Sequence, residues 1–147
     1  MTEVRRADAT WEGDLLSGTG VVSASTSGAF TELPVSWAAR TEASGGKTSP
    51  EELVAAAHAA CFSMAFSSNL AKAGHRAERL DVSAEVTFDK LEGGWTVTKS
   101  ALTVRGVVPG IDQAGFTAAA EGARDGCPIS RALKGNVELS VEAILEG

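Results

Sequence analysis

The chain has 147 residues, 44% of them hydrophobic and 22% charged, with a net charge of −6. That length supports one domain, residues 1–147, with a core that buries roughly 70% of the unfolded surface. An acidic balance without a basic run argues against nucleic acid and anionic membranes as partners. The polar opening MTEVRRADATWEGD and the lack of a run of about 18 apolar residues predict no leader and no membrane span, hence a cytoplasmic protein.

The N-terminal third reads as strands joined by glycine turns. Trp11 begins a strand, LLSGTGVVSAS carries a turn or bulge at Gly18 and Gly20, and another turn falls near Ser27-Gly28. Phe30 to Trp37 reads as a further short strand, followed by the loop TEASGGKT. Next comes a helix with a marked start: Ser49 as N-cap, Pro50 at the first helical position and Glu52 three residues after the cap. Gly74 is its stop signal, with Lys72 in the last turn, so one helix runs from about Pro50 to Ala73. Its segment Leu53 to Phe66 is apolar on nearly every face, which predicts burial on all sides. One sheet and a second helix cover only part of such a helix. A homodimer with its central helices packed together is therefore expected.

The period then changes to two. Leu80, Val82, Ala84, Val86 and Phe88 alternate with polar residues as a half-buried strand, and Gly93-Gly94 makes a hairpin turn. Trp95 and Val97 start the return strand, and Leu102, Val104 and Val108 continue it in the other phase. That slip predicts a bulge near Lys99 to Ala101. Asp112 caps a second helix with Phe116, Ala119, Ala120 and Ala123 on one face and Gly126 as its stop. Cys127-Pro128 opens a short third helix to about Lys134, and Val137 to Leu145 alternate as a last strand. The order of elements predicts an α+β domain with a largely antiparallel sheet.

The chain has two cysteines: Cys61 in AAAHAACFSMAF and Cys127 in DGCPISRAL. A metal site would need three or four ligands at close spacings, so none is expected. A redox thiol pair needs only two sulfurs that meet in space. In the cytoplasm a transient disulfide is favoured over a structural one. On its own, Cys61 reads either as a small buried hydrophobe or as a reactive thiol. At its ordinary pKa of about 8.5 only a few per cent is ionised near pH 7, and the middle of a helix offers no dipole end. A cation must come from elsewhere. Cys127, at a helix N-terminus, is placed for a thiolate and for an accessible resolving role, or is a loop residue with no role. His58, three residues before Cys61, shares its helix face. It would be the base of a Cys/His acyl hydrolase, or a hydrogen-bonded structural residue. His75, after the stop glycine, is expected in solvent. Glu51 reads as a first-turn acid favoured by the helix dipole, and Arg40 as a solvated loop charge.

The segments Ser49-Pro50-Glu51-Glu52-Leu53, Ala57-His58-Ala59-Ala60-Cys61-Phe62-Ser63-Met64 and Gly126-Cys127-Pro128-Ile129-Ser130 resemble the OsmC/Ohr family, the osmotically inducible protein C and organic hydroperoxide resistance proteins. The opening Ala9-Thr10-Trp11-Glu12-Gly13-Asp14 and Val108-Pro109-Gly110-Ile111-Asp112 extend the resemblance along nearly the whole chain. The long N-terminal strand region and Arg40 favour the OsmC branch. The resemblance implies an intertwined homodimer, with sheets around central buried helices, that acts as a thiol peroxidase without a cofactor. It makes Cys61 the peroxidatic and Cys127 the resolving cysteine. It makes Arg40 the arginine that stabilises the thiolate and orients the peroxide, and Glu51 the acid that holds it. Arg5, Arg6 and Arg131 are rivals for the cation role. The implied reductant is an external dithiol, lipoyl groups included, although no docking motif marks it. Phe62, Met64 and Phe66 near Cys61, and Trp37 three residues before Arg40, suggest that some of these side chains line an apolar channel for organic hydroperoxides. A non-catalytic binding or redox-sensing protein on the same fold is the competing class.

Overall fold

The computed structural model describes residues 1–147, which form two compact units, Met1–Leu53 and Val54–Gly147. In the first, strands β1 (Asp8–Glu12), β2 (Thr19–Ser23) and β3 (Leu33–Val35) form an antiparallel meander. Trp11 lies near the end of β1 and pairs with Gly20. A Cβ on Gly20 would come within 2.6 Å of the Trp11 ring, so only glycine admits this packing.

The segment expected as a strand through Trp37 is shorter. Ser36 leaves it to cap a helix, α1 (Trp37–Thr41), its Oγ accepting the Ala39 N–H at 3.1 Å. Ala38 and Ala39 are strong helix formers, and the cap satisfies an otherwise orphaned donor. Arg40 therefore belongs to the last turn of a helix, not to a loop. Helix α2 (Pro50–Lys72) starts at its expected cap, with the Glu52 N–H donating to Ser49 Oγ at 3.1 Å. The Glu52 carboxylate accepts the Thr48 hydroxyl at 2.7 Å.

In the second unit α2 stops at Gly74, whose φ of +88° suits glycine. The His75 N–H donates to the Leu70 carbonyl at 2.8 Å and the Gly74 N–H to that of Ala71 at 3.0 Å. This pair of bonds is a Schellman closure. His75, expected in solvent, is half-buried.

Strands β4 (Arg79–Leu91) and β5 (Gly94–Val107) pair antiparallel, and β6 (Glu138–Leu145) joins β5 in parallel. The sheets are thus largely antiparallel, with one parallel pairing that alternation alone does not reveal. Parallel neighbours need a long crossover. Helices α3 (Gln113–Gly126) and α4 (Pro128–Leu133) form it. The β4–β5 register slips between Thr87 and Phe88, leaving Thr98 as the extra residue, just ahead of the predicted bulge.

The core of this unit joins Phe62, Phe66 and Leu70 of α2, Leu102 and Val104 of β5, Val108, and Phe116, Ala120 and Ala123 of α3. The Phe66 and Phe116 rings lie 5.0 Å apart. Each such side chain contributes about 1.5–3 kcal/mol by leaving water. The α2 residues repeat every fourth position and form one stripe, so the chain by itself covers only part of the helix. Ala56, Ala57, Ala60 and Met64 on the rest of the helix are exposed. By length and mean hydropathy (1.3) α2 would also suffice to cross a membrane. Its fully buried stripe of His58, Phe62, Phe66 and Leu70 is that of a core helix.

Candidate active site

Cys61 sits in the middle of α2. Cys127 forms the joint between α3 and α4, as C-cap of one and N-cap of the other. A residue before proline is pushed out of the helical region. Cys127 accordingly has φ −57° and ψ 129°, which ends α3, and Pro128 opens α4. Its N–H still donates to the Ala123 carbonyl at 2.9 Å and its carbonyl accepts from the Arg131 N–H at 3.0 Å. This corner brings the two sulfurs to 2.8 Å in a thiol contact. A disulfide has its sulfurs about 2.05 Å apart, so less than about 1 Å of movement separates the two states. The two differ in access: Cys61 is half-buried and Cys127 has no exposed surface. The expected accessible resolving cysteine is therefore the hidden member of the pair.

Burial pushes the Cys61 thiol up, the neighbouring Cys127 sulfur adds to this, and the Ile129 amide opposes it. Burial also raises Cys127, but the Cys61 thiol, the Ser130 amide and hydroxyl and the Ile129 amide outweigh it, so Cys127 lies below its ordinary value. Those amides favour the thiolate without closing a capping hydrogen bond to the sulfur. Between the two sulfurs alone, the surroundings thus favour ionisation of Cys127 over Cys61. A nearby cation would favour the thiolate on Cys61.

His58 does not pair with Cys61. Its Nδ1 meets Ser100 Oγ at 2.6 Å and its Nε2 meets Ser130 Oγ at 2.7 Å. Burial lowers its pKa and keeps it neutral. Both ring nitrogens are occupied, and the Cys/His base expected of an acyl hydrolase is not formed. The two serines were not singled out from the sequence. Ser100 shares the inward phase of Leu102 and Val104 on β5, and a hydroxyl at such a position signals a buried partner. Ser130 lies one turn beyond Cys127. No group of three or more His, Cys, Asp or Glu side chains is placed to hold a metal.

In the first unit, Arg40 and Glu51 form a two-pronged pair: Nε donates to Oε1 at 3.0 Å and Nη2 to Oε2 at 2.8 Å. Glu51 is only 7% exposed. The Arg40 guanidinium also lies 5.6 Å from the Trp37 ring centroid. The rival cations sit differently. Arg5 pairs with Glu3 and Arg6 with Asp8 on exposed surface, and Arg131 is an exposed residue of α4. A mainly apolar cavity of about 300 Å³, lined by Trp11, Leu15, Val35, Trp37 and Pro50, opens beside Arg40. Phe62 and Phe66, considered for an apolar channel, are instead sealed in the core, and Met64 is 69% exposed. Of that set, Trp37 lines a cavity. Trp11 and Leu15, far from the cysteines in sequence, join it through the strand pairing.

Peroxiredoxin OsmC of Escherichia coli (strain K12) is 42% identical over 142 residues, 97% of this chain and 98% of that protein. The organic hydroperoxide resistance protein of Xanthomonas axonopodis pv. citri (strain 306) is 32% identical over 105 residues, 67% of this chain and 68% of its own. Among solved structures, the organic hydroperoxide resistance protein OhrB of Bacillus subtilis superposes with a TM-score of 0.72 at 25% identity, covering 94% of this chain and 97% of that one. The model of the OsmC-like protein family matches residues 43–142, a stretch containing both cysteines and all three members of the Ser100–His58–Ser130 network. With that match, and a relative so similar along almost its full length, the chain belongs to the OsmC family.

Proposed function

We propose that the protein is a cysteine peroxidase that reduces organic hydroperoxides, and hydrogen peroxide more slowly, at the expense of an external dithiol. The observation that carries this reading is the pair of reduced sulfurs 2.8 Å apart, only one of which is open to a substrate. The names of the relatives, a peroxiredoxin and an organic hydroperoxide resistance protein, support it. The Cys61 thiolate attacks the distal peroxide oxygen. The O–O bond breaks, the alcohol leaves after protonation, and Cys61 becomes a sulfenic acid. Cys127 condenses with it, releasing water and forming the Cys61–Cys127 disulfide. A dithiol, lipoyl groups among the candidates, restores both thiols by exchange.

Arg40 supplies the cation that the Cys61 thiolate lacks and offsets charge on the peroxide, with Glu51 fixing its fork. The two-pronged pair supports these roles. Residues 1–147 act as one functional domain, since the family match runs across the boundary between the two units. A cytoplasmic setting, where dithiols are available, suits this chemistry.

The cavity beside Arg40 supports an organic substrate. Each CH₂ buried contributes about 0.8 kcal/mol, so a four-carbon body gains roughly 3 kcal/mol, or about a hundredfold in kcat/KM if realised in the transition state. Comparing kcat/KM for tert-butyl, cumene and hydrogen peroxides tests this. The organic substrates should lead, and equal values for all three would refute it.

A second copy of the chain covers the exposed apolar face of α2 at Ala56, Ala57, Ala60 and Met64. Light scattering at low micromolar concentration should then give the mass of a dimer. A monomer mass would refute this assembly.

A further inference from the structure

The sulfur pair and the His58–Ser130 hydrogen bond both tie α2 to the segment Cys127–Ser130 that opens α4. Cys61 follows His58 by three residues on α2, and Ser130 follows Cys127 by three on α4. Residues so spaced are neighbours on a helix face. The contacts His58–Ser130 (2.7 Å) and Cys61–Cys127 (2.8 Å) are therefore adjacent rungs between two segments running in opposite directions. One rung is redox-variable and the other is not. We propose that the His58–Ser130 hydrogen bond is a standing cross-link that keeps Cys127 in register with Cys61 while the sulfurs are unbonded, which makes His58 and Ser130 positioning residues for disulfide closure.

The permanent rung is built for this. His58 and Ser130 are fully buried, and Ser100 of β5 ties the other ring nitrogen at 2.6 Å. A neutral imidazole has one donor and one acceptor, and a serine hydroxyl can complement either. Helix α4 has only six residues. A helix so short does not hold itself in water and needs a tertiary anchor. In closure, the S–H bond of Cys127 and the S–O bond of the Cys61 sulfenic acid break, S–S and O–H bonds form, and water leaves. A second peroxide molecule competes by oxidising the sulfenic acid to sulfinic acid. Closure wins in proportion to the time Cys127 spends within bonding reach.

The competition rests on the peroxidase reading, but the rung itself can be tested without it. The disulfide oxidant diamide closes the same bond: Cys61 adds to its N=N bond, and Cys127 displaces the resulting hydrazine. In the reduced full-length protein, Ser130→Ala should slow this closure by about tenfold or more, whereas Ser100→Ala, which removes a comparable buried bond but spares the rung, should slow it less than about threefold. With excess cumene hydroperoxide, Ser130→Ala should also raise the ratio of Cys61 sulfinic acid to disulfide seen by mass spectrometry. Equal effects of the two substitutions, or none from Ser130→Ala, would overturn the proposal. If diamide closure follows the expected pattern but no peroxide is consumed, the rung stands and the peroxidase reading falls. Hydrogen exchange of the unmodified protein gives a second readout. The α4 amides of Arg131 and Lys134, bonded to the Cys127 and Ser130 carbonyls, should be protected in the reduced state. Protection that arises only on oxidation would also overturn the proposal.

Discussion

Cys61→Ser is expected to bring peroxide turnover to background, a loss on the order of 10⁴-fold or more, as when a covalent nucleophile is removed. Cys127→Ser should behave differently. It should still consume a first equivalent of peroxide and then accumulate sulfenic and sulfinic acid at Cys61, because no neighbouring thiol traps the intermediate. Access is the reason for this asymmetry: Cys61 is half-buried, while Cys127 is sealed behind it. The lowered pKa of Cys127 is a competing influence. An ionised thiol is the better nucleophile only where the substrate can reach it. Mass spectrometry after one equivalent of cumene hydroperoxide distinguishes the two assignments. Oxygen on Cys127 with Cys61 untouched would reverse them.

Arg40→Ala should lower kcat/KM by about 10²–10³-fold, the usual loss when a preorganised charge-stabilising group is removed. It should also slow alkylation of Cys61 near neutral pH, since burial and the second sulfur already push that thiol up. Arg40→Lys retains the charge but not the planar fork, which binds Glu51 through Nε and Nη2 together. It should therefore recover little of the rate. Thermal unfolding separates this from misfolding, because Glu51 remains buried without its partner only in the alanine variant. If Cys61 alkylation and peroxide reduction are unchanged in Arg40→Ala, the role of the arginine is refuted, and Arg5, Arg6 and Arg131 become the cations to test.

The parts of this protein that could be read from the chain are those governed by short-range chemistry. The start of α2 followed from Ser49 and Pro50, and its end from Gly74, because capping groups act within one turn. The hairpin of β4 and β5 followed from alternation and from Gly93-Gly94. The bulge was expected near the right place because a phase change in side-chain direction requires an extra residue, here Thr98. Helix α1 was missed although Ser36, Ala38 and Ala39 mark it, because the apolar run before it resembled a continuing strand.

The two cysteine motifs and the family they resemble were thus identifiable from the sequence, whereas the residues alone read Glu51 as a first-turn acid and Arg40 as a solvated loop charge. The arrangement of these residues was not legible. That β6 lies parallel to β5, that both nitrogens of His58 are engaged by serines, and that Phe62 and Phe66 fill the core are decided by segments far apart in the chain. So are the burial of Cys127 behind Cys61 and the approach of Trp11 and Leu15 to the cavity beside Arg40. Caps and periodicity act over a few residues. Burial, pairing and proton affinity depend on which distant segments the fold brings together, and only the tertiary structure specifies that.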